Sequence, residues 1–206
     1  FFMVSTIGWP GRQEKALDPL LTTLKGRDLN LKAFAALGLG LLGKSEARIA
    51  IISEYESLVR TGKEETAACL AVAMGMLDDG AFVDRLAAPL KTRGSREMKI
   101  LKIYICQALG QIGGEKAQDL LILALQGKDK NVQAAAILGL SQYADKSAVR
   151  ILLKNGVKSG SQDVQDFAIV SLGRIAARLD PGDTTYRSIR EELKKVIDPE
   201  LSVNIV

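Results

Sequence analysis

Three pairs of adjacent carboxylates are the residues of this chain that come closest to a catalytic arrangement. They are Glu64-Glu65, Asp78-Asp79 and Glu191-Glu192. Neighbouring side chains on a helix point about 100° apart, so two such carboxylates do not easily share one substrate atom as acid and base. The sequence also contains no histidine, the commonest general base and a common zinc ligand. We therefore expect no enzyme activity, no cofactor and no metal site.

Two cysteines, Cys69 and Cys106, both lie in apolar stretches with helical periodicity. A cysteine in such a stretch is more often a buried free thiol than half of a disulfide or a metal ligand. Neither residue indicates the redox state of a compartment, so the sequence leaves the localisation unknown.

The densest positive charge lies in one short run of the sequence. Its members are Lys91, Arg93, Arg96, Lys99 and Lys102, with Glu97 as the only opposing charge. Such a run either binds an anion, such as phosphate or an acidic partner, or forms a solvated turn. The net charge of the whole chain is only +4 and its basic residues are spread along it, so we do not expect nucleic acid to be the main partner.

The elements that carry these residues repeat along the chain. A short pattern recurs five times and closes on a small residue each time, at Gly40, Gly75, Gly110, Ser141 and Gly173. The intervals are 35, 35, 31 and 32 residues, a spacing typical of solenoids built from helical hairpins. The repeat, rather than any reactive side chain, is the dominant signal in the sequence.

Each repeat has the pattern of two helices joined by a polar turn. The second helix begins nine residues before the small residue and is apolar on one face. In the first repeat this predicted core face consists of Leu31, Ala35, Gly38, Leu39 and Leu42. A turn rich in glycine and polar residues, such as 25–28, separates it from the apolar helix that precedes it. The fold class that follows is an all-α solenoid of about five helical hairpins.

The same pattern divides the chain into units. We expect a repeat array over 1–180, with hairpins at about 14–43, 45–78, 81–113, 115–145 and 146–178. Residues 1–9 match the end of a preceding repeat, which predicts more polypeptide or a neighbouring subunit at that face. The sequence Asp180-Pro181-Gly182 breaks the array, and residues 181–206 are expected to form a C-terminal capping helix and tail.

The second helices resemble the HEAT repeat in its short bacterial form, including the HEAT-like repeats of phycobilisome lyases. The resemblance rests on Asn30-Leu31-Lys32 followed by Ala35-Ala36 and Leu39-Gly40, with Val132-Gln133 and Val164-Gln165 in matching places over about 14–178. It implies that the second helices line the concave side of a superhelix.

The resemblance also concerns a polar ladder. Lys32 and Lys102 occupy the position where the family has arginine, whose usual role is to bond neighbouring carbonyls or acidic residues. Ala67, Gln133 and Gln165 depart from that pattern, which predicts a thinner ladder at those repeats.

On the predicted concave side, the outward positions of the second helices are mostly apolar. The residues there that we expect to bind a partner are Leu37, Val72, Ile103, Gln107, Leu138 and Val170, flanked by Phe34 and Tyr104. A solvated helix face is normally charged, so this row has two interpretations. Either the curvature of the stack buries it, or it forms a groove that accepts a helix or an extended peptide.

Together these features predict a non-enzymatic scaffold for protein–protein interaction, which binds a protein segment along its concave apolar face as part of a larger protein or complex. The alternatives are a bilin-lyase-like or chaperone-type subunit, which the resemblance alone implies, and weak nucleic-acid binding through the basic turn. No apolar run reaches about 18 residues without a charge, so we expect no membrane span.

Overall fold

The structure is a computed structural model that describes residues 10–92, 98–143 and 146–197, and in these residues its regular structure is entirely helical. The eleven α-helices are α1 (Pro10–Leu24), α2 (Leu29–Leu42), α3 (Arg48–Thr61), α4 (Glu64–Met76), α5 (Val83–Lys91), α6 (Lys99–Ile112), α7 (Glu115–Leu125), α8 (Lys130–Leu140), α9 (Lys146–Ile151), α10 (Gln162–Ala176) and α11 (Thr184–Ile197). Short 3-10 turns, Ser45–Ala47 and Gly80–Phe82, precede α3 and α5, and a π-helical segment, Leu152–Val157, continues α9.

The helices form antiparallel hairpins that stack side by side. The pairs are α1 with α2, α3 with α4, α5 with α6, α7 with α8, and α9 plus its π-helical segment with α10. The second helices of successive hairpins pack closely on one another, whereas the first helices touch their neighbours more sparsely. Because the second helices lie closer together, they form the inner, concave side of the stack. The predicted all-α repeat fold is confirmed.

Local chemistry sets where the helices begin and end. The carboxylate of Asp28 accepts hydrogen bonds from the backbone N–H groups of Asn30 and Leu31, at 2.9 and 3.0 Å, and so caps α2. Asp129 caps α8 in the same way. At the other end, Gly43 terminates α2 with a φ of 65°, a left-handed conformation that glycine adopts without steric penalty.

In the first three repeats, close helix packing requires the glycine that closes the repeat. A Cβ atom added at Gly110 would lie 2.7 Å from the Cα of Gly139 in the next second helix, and one at Gly75 would lie 2.9 Å from the Cα of Ala108. Neither distance is compatible with a side chain unless the helices separate. A Cβ atom at Gly173, by contrast, would meet nothing within 4 Å. This close approach of second helices therefore extends through α2, α4, α6 and α8. On α10, the corresponding glycine has no helix packed against it among the described residues.

The predicted core face is buried in most repeats, with one exception. Ala35 and Leu39 are fully enclosed, but Leu31 is 54% exposed, so its prediction as a core residue is wrong. Leu31 lies on the same face of α2 as Gly38, two turns earlier. The residues equivalent to Gly38 in the next two repeats, Ala73 and Ala108, touch the preceding second helix. Helix α2 has no preceding second helix among the described residues, and periodicity alone does not reveal a missing neighbour.

The polar ladder joins second helices to neighbouring first helices. The ammonium of Lys102, in α6, donates to the carbonyl oxygen of Thr92 at the end of α5, at 2.9 Å. Lys32, in α2, instead forms an ion pair with Glu54 of α3, the first helix of the next hairpin. The prediction of a thinner ladder at the two glutamines is wrong. Gln133 donates to the carbonyls of Leu125 and Gly127, at 3.2 and 2.9 Å, because a long amide side chain reaches the same oxygens.

The last glutamine of that series does the same, since the amide of Gln165 donates to the carbonyl of Ser159 at 2.5 Å. Of the three departures from arginine, only Ala67 lacks a polar group, and it is completely buried. The ladder therefore loses one rung rather than three.

Helix α11 packs on α9 and α10 through one apolar face. Ile189 is fully buried, Tyr186 and Leu193 are half-buried, and Arg187 and Arg190 point to solvent. The backbone N–H of Thr185 donates to Asp183 at 2.6 Å, and this hydrogen bond lowers the pKa of the Asp183 carboxyl below its usual value.

Candidate protein-binding groove

A groove of about 850 Å³ crosses the C-terminal ends of α2, α4, α6 and α8. Its floor includes Gly40, Gly75 and Gly110, the residues that allow the second helices to approach closely. Because these residues have no side chains, the same packing that holds the stack together also leaves the channel open. The groove therefore follows from the repeat itself.

The walls of the groove change in character along the stack. Leu41, Met76, Gln111 and Gln142 all line it, and they occupy the same position in successive repeats, one residue after the small residue. The first two are apolar and the last two carry amides. We call the part with Leu41, Met76 and Asp78 the N-terminal half of the groove, and the part with Gln107, Gln111, Gln142 and Tyr143 the C-terminal half.

The predicted concave row lies beside the groove rather than in it. Leu37, Val72, Ile103 and Leu138 are half-buried between neighbouring helices. Of the eight predicted partner-binding residues, Gln107 is the one that lines the groove. Val170, on α10, is 56% exposed and Tyr104 is 39% exposed. The row is thus partly packed and partly accessible, and its role in binding stays a prediction.

An exposed apolar stripe runs along α2. Phe34 is 71% exposed and Leu41 is 63% exposed, and with Leu31 they lie on one face of the helix. We call these three residues the α2 stripe. It enters the groove at Leu41, so the N-terminal half of the groove continues into an exposed apolar surface.

The basic run is largely occupied by contacts within the chain. Lys102 is buried and donates to the Thr92 carbonyl, and the ammonium of Lys99 lies 3.1 Å from the carboxylate of Asp129. Lys91 is exposed, while Arg93 and Arg96 lie outside the described residues. Anion binding at this turn stays a prediction, and two of its five proposed members already have acceptors.

Members of all three carboxylate pairs accept hydrogen bonds or form ion pairs within the chain. Glu64 accepts from the backbone N–H of Leu101 at 3.2 Å, and Asp79 accepts from the backbone N–H of Ala81 at 2.9 Å. Glu191 and Glu192 pair with lysines one turn further along α11. Asp78 differs from these residues because it lines the groove.

The thiols are held in their neutral form. Burial raises the pKa of Cys106 to about 12, and burial also raises the pKa of Cys69. Within the described ranges, no three carboxylate or cysteine side chains are close enough together to hold a metal ion. None of the described helices is long and apolar enough to cross a membrane.

Several residues could not be recognised from the sequence as parts of one groove, although Asp78 stands out there as one of an adjacent pair of carboxylates. Asp78, Gln111 and the pair Gln142-Tyr143 lie in three successive repeats, and only stacking brings them to one channel. The signal that was available is positional, since a polar residue follows the small residue in the third and fourth repeats where the first two have Leu41 and Met76.

Comparison with known proteins supports the repeat fold. Residues 90–173 match the family model for HEAT repeats, so the recognition of HEAT repeats is confirmed there. A search of curated protein sequences finds no significant match.

Among solved structures, the complex of CpcE and CpcF of phycocyanin lyase from Nostoc sp. PCC7120 is similar, with a TM-score of 0.52 and 16% identity over 89% of this chain and 83% of that chain. At this identity the likeness shows the fold alone. Human deoxyhypusine hydroxylase in complex with glycerol has a TM-score of 0.38 and 15% identity over 96% of this chain and 87% of that chain, a likeness too weak to carry a structural argument.

Proposed function

We propose that this chain is a non-enzymatic scaffold that binds a segment of a protein partner along the groove on its concave side. The observation that carries the proposal is the α2 stripe, whose residues are more than half exposed and lead directly into the groove at Leu41. Large apolar side chains in a contiguous, solvent-facing patch usually mark an interaction surface.

The shape of the groove favours an elongated ligand. Its volume of about 850 Å³ lies within the range for ligand sites, but it extends across the ends of four helices rather than forming an enclosed cavity. An extended peptide or a helix turn fits such a channel, with apolar side chains against Leu41 and Met76. The amides of the C-terminal half offer hydrogen bonds to a peptide backbone.

The division of the chain into units is part of the same proposal. Five hairpins supply the inner row of second helices, and α11 covers the outer side of the last hairpin by packing on α9 and α10. The remnant of a preceding repeat predicted at 1–9 lies outside the described residues, as does the tail from 198 onwards.

A bilin-lyase-like subunit is the second candidate, and the likeness to a phycocyanin lyase complex is the observation that favours it. That likeness concerns a complex of two subunits, which also accords with a protein partner for this chain. Incubation with a bilin, followed by visible absorbance, tests the candidate, and an unchanged spectrum would dismiss it.

Binding through the basic turn has less support than these two functions. Lys102 is buried and Lys99 is paired with Asp129, so both would have to exchange an existing contact for a phosphate.

A displayed library of twelve-residue peptides tests the scaffold directly. We expect the full chain to select peptides, and the double variant Phe34→Glu, Leu41→Glu to bind them at least about tenfold more weakly, because two charges then face the apolar side chains of the ligand. Both positions are exposed, so the variant keeps its fold.

The matched control is Ile49→Glu, which changes an equally apolar side chain that is 81% exposed at the start of α3. Its affinity for the selected peptides should equal that of the unmodified protein. Equal loss in both variants, or no selection at all, would contradict the proposed function.

A further inference from the structure

The groove brings together the ends of helices that carry the same electrostatic sign. The last four carbonyls of an α-helix have no partner within it, and the helix dipole places partial negative charge there. The C-terminal ends of α2, α4, α6 and α8 all border the groove. None of these four helices has a basic residue in its last turn. The backbone N–H groups that follow each helix, such as those of Gly43 and Leu77, satisfy some of these carbonyls, and any side-chain donor or cation at the ends must come from elsewhere.

In the C-terminal half, the chain supplies those donors itself. The guanidinium of Arg178 donates to the carbonyls of Ser141 and Gln142 at the end of α8, with Nη1 lying 3.4 Å from the Gln142 oxygen. The hydroxyl of Tyr143 lies 3.4 Å from the carbonyl oxygen of Leu109, in the last turn of α6, and 3.3 Å from that of Gly114, which precedes α7. In both cases the donor comes from the repeat that follows.

In the N-terminal half, the same positions hold no donors. The residue that corresponds to Tyr143 for the end of α4 is Ile112, and the residue that corresponds to Arg178 is Glu115. Neither side chain can donate a hydrogen bond at neutral pH. Among the described residues, Arg48 pairs with Asp79 just beyond α4, and no arginine takes the position at the end of α4 that Arg178 has at the end of α8.

Asp78 adds a negative charge at the same place. It follows α4 with a φ of 49°, where the equivalent residues of the neighbouring repeats are Gly43 and Gly113, also with positive φ. A residue with a side chain is strained in this conformation, and glycine is not. The chain therefore keeps a carboxylate in the groove at a position whose backbone favours glycine.

We propose that the end of α4, beside Asp78, binds an arginine side chain of the partner segment, while Leu41 and Met76 contact an apolar residue next to it. The guanidinium takes the place that Arg178 occupies at the end of α8. This inference rests on the proposed function and specifies the chemistry of the segment. The same chain thus contains both the filled and the open form of one arginine site.

A titration followed by NMR tests the inference on the full, 15N-labelled chain. The probe is N-acetyl-arginine methylamide, and the matched control is N-acetyl-citrulline methylamide, which has nearly the same shape and no charge. We expect the arginine probe to shift the amide signals of residues 75–80 and 110–114, and the citrulline probe to leave them in place. The shifts should weaken as salt is added.

The variant Asp78→Gly distinguishes the contribution of the Asp78 carboxylate to binding from that of the backbone carbonyls at the end of α4. It should weaken binding of the arginine probe by roughly two- to fivefold, since one partly exposed charge is removed while the helix end remains. Equal shifts from both probes, or unchanged arginine binding in Asp78→Gly, would overturn the inference.

The peptide library distinguishes this inference from the function on which it rests. Selected peptides that bind the groove without any excess of arginine would sink the arginine site and leave the scaffold intact. Arginine-rich peptides that lose affinity in Asp78→Gly but not in the Ile49→Glu control would support both.

Discussion

The two halves of the groove are built from the same structural repeat, but they differ in the side chains at the helix ends. In the C-terminal half, Arg178 and Tyr143 cap the helix ends and amides line the wall. In the N-terminal half, the wall is apolar, the equivalent capping positions have no donors, and the α2 stripe is exposed. The residues that pack the stack are alike in both halves. We therefore expect ligand binding to depend on the positions that packing leaves free.

The packing shared by both halves is the place where a substitution should have the largest effect. Gly110→Ala should lower the free energy of unfolding by about 1–3 kcal/mol, because the added methyl would lie 2.7 Å from the Cα of Gly139. Gly173→Ala should be neutral or raise it by up to about 1 kcal/mol, since that site is open and alanine favours helix.

Urea denaturation of both glycine variants provides the measurement. Equal destabilisation at Gly110 and Gly173 would mean that the close approach of second helices does not hold the stack together. A loss of stability in the Gly110 variant alone would support close packing of the second helices as the framework that both halves share.

Equivalent leucines on the concave row compare the halves in binding. Leu37→Glu, in α2, should reduce affinity for library-selected peptides by about tenfold, because it adds a charge beside the α2 stripe. Leu138→Glu, in α8, should change affinity by less than about threefold, because amides rather than apolar side chains line that half of the groove. Fluorescence anisotropy with one labelled peptide measures both.

Circular dichroism is the control for these two variants, because both leucines are half-buried. Loss of helicity in both would show that the row is core, as the curvature interpretation holds. Equal loss of affinity with retained helicity would contradict the division into halves.

Removing the internal cap should make the C-terminal half resemble the N-terminal half. Arg178→Ala should lower the free energy of unfolding by about 1 kcal/mol, as expected for lost hydrogen bonds to helix-end carbonyls. In the NMR titration it should also create new shifts at residues 139–143, where the arginine probe replaces the missing guanidinium. No new shifts there would argue that helix ends alone do not bind the cation.

The smallest effect is expected from the strained aspartate. Asp78→Gly should raise the free energy of unfolding by about 0.5–1 kcal/mol, because glycine adopts a positive φ without a clash. Thermal unfolding of this variant beside Asp79→Gly checks it. Asp79 caps a helical turn, so its loss should destabilise the protein instead.

The fold could be predicted because its physical cause is visible in the sequence. Gly75 and Gly110 recur at a fixed interval since no side chain fits between the second helices, and the spacing therefore identifies the hairpin stack. Periodicity also identified which face of each helix packs inward, and failed at Leu31, where a face exists but its neighbour is not present among the described residues.

The groove could not be predicted in the same way. Asp78 and Gln142 are far apart in the chain, and they share a channel only because successive repeats stack in register. Gln133 shows a related limit of prediction from residue type. The presence of glutamine where arginine is expected predicted a lost ladder contact, but the glutamine amide donates to two backbone carbonyls. Residue type predicts a side chain's chemistry, but its reach depends on the backbone around it.

The most direct test of the account is to map a library-selected peptide on the 15N-labelled chain by amide shift changes. We expect the largest changes at the C-terminal ends of α2 and α4, over residues 37–43 and 72–80, and smaller ones at the ends of α6 and α8. Changes centred on the outer helices α3, α5 and α7, or no localised changes at all, would contradict it.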